Sequence, residues 1–149
     1  MADLGTKLRV GIHNSGMSSA TALPPATARG DLTALFSGID DPRIEASWSD
    51  ALRGADEFAA KYRGKIDDPG LDAQTLLNAL RELESLLNEA GKPVQYAELV
   101  FSADTSKPEH GAFLQMQMER HSELSVKLMF FDLELMGAPE EAIQKALET

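Results

Sequence analysis

Residues 96–135 read YAELVFSADTSKPEHGAFLQMQMERHSELSVKLMFFDLEL, and this stretch decides the fold. Turn and helix-start residues from Asp104 to Glu109 separate two segments whose apolar side chains recur at three- and four-residue steps, the helical period. Ser106, Lys107, Pro108 and Glu109 fit a capping box, in which the Ser hydroxyl accepts from the N–H three residues on and Glu109 reaches back. The helix predicted from there runs to Met136 before Gly137 ends it, about 27 residues or ~40 Å at 1.5 Å per residue. One seam, Phe113, Met116, Leu124, Leu128, Phe131 and Leu135, already satisfies a bundle core. Met118, Val126, Met129, Phe130 and Leu133 lie off that seam, because neighbours on a helix point about 100° apart. Two arrangements accommodate so wide an apolar arc: a central helix surrounded by the others, or a helix that lends a second face to a partner.

Upstream, Asp41 is placed to cap a first helix with Pro42 at its first position, where the missing N–H costs nothing. Its apolar face is Ile44, Trp48, Ala51, Ala55, Phe58, Tyr62 and Ile66, and Pro69 with Gly70 is expected to stop it. A second helix starts at Asp72, where Leu71 and Leu76 have the spacing of a hydrophobic staple. Its stripe is Leu76, Leu80, Leu83 and Leu87, with Gly91 as a left-handed stop. A third, shorter helix follows Pro93, turns Val94, Ala97, Val100 and Phe101 inward, and ends near Asp104. Beyond the fourth helix, Pro139, Glu140 and Glu141 open a short last one carrying Ile143 and Leu147. No strand pattern or internal repeat is visible. The fold class expected is all-α, a helical bundle of about four main helices plus a short terminal helix, over residues 31–149. Residues 1–30 carry Gly11, Gly16, Pro24, Pro25 and Gly30 without a sustained period, and read as a flexible leader. Their Ala, Ser and Thr content with Lys7, Arg9 and Arg29 leaves an organellar transit peptide as the alternative. Leu32, Leu35 and Phe36 are spaced for a short helical turn that pins the leader to the core.

Composition narrows the function classes. With 24 acidic against 14 basic side chains the formal charge is -10, which repels phosphate backbones and anionic membrane surfaces, so neither nucleic acid nor membrane is an expected partner. No apolar run approaches the ~20 residues of a membrane helix. The absence of cysteine excludes disulfides, thiol catalysis and a Cys-liganded zinc, and suits a cytoplasmic protein.

The order of features resembles the amino-terminal region of oligoendopeptidase F, a zinc endopeptidase of the thimet-oligopeptidase superfamily. The resemblance rests on a helix with Tyr96-Ala97, then Ala103-Asp104-Thr105-Ser106, then Pro108-Glu109-His110-Gly111, then a charged helix ending Phe130-Phe131-Asp132-Leu133-Glu134-Leu135. It extends more loosely upstream through Asp31-Leu32, Leu35-Phe36 and Asp40-Asp41-Pro42 to Ala55, Phe58, Tyr62, Gly64 and Lys65. In that family two helix-rich lobes flank a deep channel that admits short peptides, and the zinc motif lies far downstream. The resemblance therefore implies a non-catalytic front end, cut short or standing alone, that walls the channel and braces a catalytic domain. Zinc would belong to the full-length enzyme. The rival expectation is a stand-alone helical interaction module, or a decayed peptidase fragment, that self-associates through the fourth helix.

Candidate chemistry in the chain itself is thin. HExxH, the helical pair of zinc ligands with its general base, is missing. Of the three histidines, His110 and His121 are eleven residues apart, roughly 16 Å along a helix, too far to share one zinc. Glu119, His121 and Glu123 invite a metal reading, yet two residues on a helix turn His121 about 160° away from either Glu. His110 and Asp104 read as corner hydrogen-bonders, and Trp48 and Tyr62 as core. No G-x-S-x-G elbow or glycine-spaced phosphate loop is present, and Ser15 and Ser18 fall in the leader, where no triad is held rigidly. No catalytic, metal or cofactor residue is assigned. The purified chain is accordingly expected to hold no stoichiometric zinc and to leave a quenched-fluorescent peptide uncut; one tight zinc per chain, or turnover abolished by a chelator, contradicts this.

Overall fold

Four helices follow one another in the computed structural model, which describes residues 35–149: α1 (Pro42–Tyr62), α2 (Ala73–Ala103), α3 (Pro108–Met136) and α4 (Glu140–Leu147). The described residues contain no strand, so the fold is all-α. α1, α2 and α3 pack on one another, and α4 folds back against α2. The leader expected over residues 1–30, and Leu32, lie outside the described residues.

α1 begins as its sequence dictates. The Asp41 carboxylate accepts from the Arg43 N–H at 2.9 Å, and Pro42 follows at the first helical position. The same carboxylate takes the Arg43 guanidinium at 2.6 Å and the Ser37 N–H at 2.8 Å. These bonds, the Arg43 side chain foremost, hold its carboxyl well below the usual carboxylate range. The short turn expected before it lies partly outside the described residues; residues 35–41 carry no helix, and Phe36 is buried and packs edge-on against Tyr96, ring centroids 5.3 Å apart.

α1 ends at Tyr62, sooner than Pro69 and Gly70 required. Gly64 turns the chain at a φ of 77°, in the left-handed region that costs glycine little. Glu134 on α3 then accepts from the Gly64 N–H at 2.8 Å and the Ile66 N–H at 3.3 Å. Ile66 is fully buried, as its place on the apolar face implies, but from the connection and not from the helix.

The second and third predicted helices are one. α2 runs 31 residues through Gly91 and Pro93, and Gly91 is not left-handed. A proline inside a helix costs about 3 kcal/mol, a price the burial of Ala90, Pro93, Tyr96, Ala97 and Val100 offsets here. Its start agrees with expectation: Asp72 caps the Thr75 N–H at 2.9 Å, with Leu71 and Leu76 packed in the core. The stripe is shifted, however. Leu87 is exposed, while Ala79, Leu86 and Ala90 join Leu76, Leu80 and Leu83 on the inner side.

The capping box at α3 does not form. Lys107 is the N-cap, without a side-chain bond, and the Ser106 hydroxyl donates instead to Asp104 Oδ1 at 2.5 Å. Asp104 also accepts from the Ser106 N–H at 3.1 Å, and His110 Nδ1 lies 3.0 Å from the Asp104 carbonyl, so both residues tie the corner as their sequence context implies. In α4, Ala142 and Ala146 face inward, Ile143 is half-buried, and Leu147 is exposed.

Gly91 sits inside a helix with open space where a Cβ would stand. Gly91→Ala is therefore expected to raise unfolding stability by about 0.5–1 kcal/mol in a urea titration; a loss of stability would mean that this helical segment needs the glycine.

Candidate functional site

α3 has two unlike sides. Its inner side buries Phe113, Gln117, Leu124, Leu128 and Phe131. Trp48 on α1, itself fully buried, donates its indole N–H to Gln117 Oε1 at 2.7 Å. The sequence reading gave that inner position to Met116, which is exposed, and missed Gln117. The signal for Gln117 was present: a buried indole needs an acceptor, and Gln117 stands four residues after Phe113 and seven before Leu124.

The outer side carries the surplus apolar residues. Met118 is 54% exposed, Val126 68%, Met129 52% and Leu133 59%, and Met136, not foreseen in this face, extends the stripe. Phe130 does not belong to it. Only 8% exposed, it packs against Phe58 with ring centroids 5.9 Å apart, and the Arg63 guanidinium covers it 4.6 Å from the ring centroid. The end of α1 reaches the side of α3 where Phe130 projects, which the periodicity of α3 alone does not reveal. α3 is thus neither wholly enclosed nor merely one-sided: two neighbours bury a wide arc and leave a narrower stripe in water.

At its amino-terminal end the stripe meets a groove of about 560 Å³ lined by Phe101, Gly111, Leu114, Met118 and Ser122. A separate trough of about 610 Å³ runs between α1 and α2, with Ala51, Phe58 and Leu86 in its wall and Asp50, Glu57 and Glu89 at its edges. Across it, Lys61 pairs with Glu82, which also accepts from the Tyr62 hydroxyl at 2.9 Å; the Lys61 ammonium holds the Glu82 carboxyl below its ordinary value. Neither described histidine lines this trough, so its serines, Ser47 and Ser85, have no imidazole base beside them there.

The remaining candidates stay apart. Glu119 and Glu123 are exposed and His121 is half-buried beside Gln95, Glu98 and Met118. Among the described residues no three His, Cys, Asp or Glu side chains are grouped to hold a metal ion. No described helix is long and apolar enough to cross a membrane. No protein-family model, no curated protein and no solved structure matches the chain.

The contrast between adjacent residues gives a direct test of this face. Phe130→Glu is expected to destabilise the chain by about 3 kcal/mol or more, because a carboxylate replaces a buried ring. Met129→Glu should change stability by no more than about 0.5 kcal/mol. Thermal melting of both variants decides the point, and equal losses would place Met129 in the core.

Proposed function

We propose that this chain is the non-catalytic helical lobe of a zinc endopeptidase of the oligoendopeptidase F type, which braces a catalytic domain through the outer stripe of α3. The observation that carries the docking role is the run of half-exposed apolar side chains from Met118 to Leu133. A contiguous apolar face of this kind is unfavourable in water and marks a surface that another surface covers. The family reading rests on the residue order from Tyr96-Ala97 through Pro108-Glu109-His110-Gly111 to Phe130-Phe131-Asp132-Leu133. In that setting the catalytic domain would supply the zinc ligands and the general base, and this lobe would wall a channel for short peptides. The cysteine-free composition fits a cytoplasmic enzyme.

The same stripe supports a second reading, a helical interaction module with no enzymatic role that pairs with another protein or a second copy of itself. The coding DNA separates the two. The peptidase reading expects an open frame continuing past the Thr149 codon to an HExxH motif. A stop codon there, with no such motif, overturns it and leaves the interaction module.

A further inference from the structure

We propose that the partner seated on the outer stripe of α3 is an amphipathic α-helix whose apolar seam is flanked by Lys or Arg. This rests on the docking role proposed above and names the chemistry of the surface that docks.

Spacing is the first reason. Ser122, Val126, Met129, Leu133 and Met136 succeed one another at steps of four, three, four and three residues. That 3.5-residue period is the seam along which two helices stay in contact, and it lies straight on α3 for about 20 Å. Hydrogen bonding is the second. Ser122 Oγ donates to the Met118 carbonyl at 3.0 Å and Ser125 Oγ to the His121 carbonyl at 2.9 Å. Both hydroxyl protons are thus used inside α3, whose backbone groups between its ends pair within the helix. An extended or irregular partner segment would lose water from its own C=O groups and find no free donor along this seam, whereas a helix satisfies them internally. The small serines also let a second helix approach closely.

Charge decides which helix. α3 has two cationic side chains other than histidine, and both are drawn to α1: Arg120 lies 3.0 Å from Glu45 and Lys127 lies 2.7 Å from Asp56. Glu119, Glu123 and Asp132 flank the stripe, all exposed and none with an ion-pair partner among the described residues; against these three carboxylates stands the Arg63 guanidinium over Phe130, so the flanks are net acidic. A second copy would bring acidic flanks against acidic flanks in either orientation, on chains of formal charge -10. Lys or Arg beside an apolar seam answers the same flanks with attraction and covers the stripe with its methylene stems.

The test uses the full chain and two labelled peptides of about three heptads with Leu at a and d, one carrying Lys at e and g and the other Glu. Fluorescence anisotropy is expected to show the Lys peptide binding at least about tenfold more tightly than the Glu peptide, with an affinity that falls as salt rises. Val126→Ser with Leu133→Ser, at positions outside the core, should keep the circular-dichroism spectrum and melting of the parent and lose about tenfold or more in that affinity. Glu57→Gln with Glu89→Gln, in the separate trough, should leave affinity within about twofold. Equal binding of the two peptides, or none, overturns the proposal. So does undiminished binding to the serine variant, which would assign the effect to bulk charge. A wild-type chain that sediments as a dimer, and that the serine substitutions turn into a monomer, makes a second copy the occupant instead. A stop codon after Thr149 would remove the peptidase reading without changing any of these outcomes.

Discussion

The hydrogen bond from the Trp48 indole to Gln117 sets how α3 is turned in the bundle. Leaving a buried N–H without an acceptor costs about 1–3 kcal/mol, so Gln117 is held at the centre of the α1–α3 contact. With that rotation set, Leu124, Leu128 and Phe131 follow inward at helical steps. Met118 and the stripe that follows it necessarily point away. The interaction that orders the core thus also determines which apolar residues are left in water.

Around that contact, long-range polar bonds and small side chains fix the other elements. Glu134 ties the α1–α2 connection to α3 through the backbone of Gly64 and Ile66, so the connection delivers Ile66 to the core without being helical. Fully buried Ala55, Ala79, Ala90 and Ala97 let helix axes come close, while Phe58 gathers Tyr62, Phe130 and Phe131 about its ring. Phe130 is protected because Arg63, at the end of α1, lays its guanidinium on the exposed side of that cluster.

α3 packs one face in its own bundle and leaves another apolar and exposed, which is what the docking role proposed above needs. Its own basic side chains are engaged by α1, so the outer face combines an apolar seam with flanks that are net acidic, Arg63 over Phe130 being a cation at their edge. On the docking proposed above, affinity would come from burying Val126, Met129 and Leu133, and the acidic flanks would discriminate between partners. The trough between α1 and α2 is chemically different, acidic at its edges and crossed by the Lys61–Glu82 pair, and shares no element of the stripe.

The sequence by itself determined the all-α class, the caps at Asp41 and Asp72, and the corner built by Asp104 and His110, because each depends on local spacing or on a side chain reaching its near neighbours; it also put Met118, Val126, Met129 and Leu133 off the core seam, without deciding whether other helices enclose them. Tertiary structure decided the rest. α2 continues through Gly91 and Pro93, against their local preference, since burial on both sides of them outweighs the helix-breaking cost. Ser106 donates its N–H and hydroxyl to Asp104 and does not cap α3, two local options that its spacing alone did not separate. Phe130 and Gln117 are inside, and Met116 outside, because periodicity along α3 counts apolar positions but does not say where α1 lies around it; only the packed bundle supplies that angle.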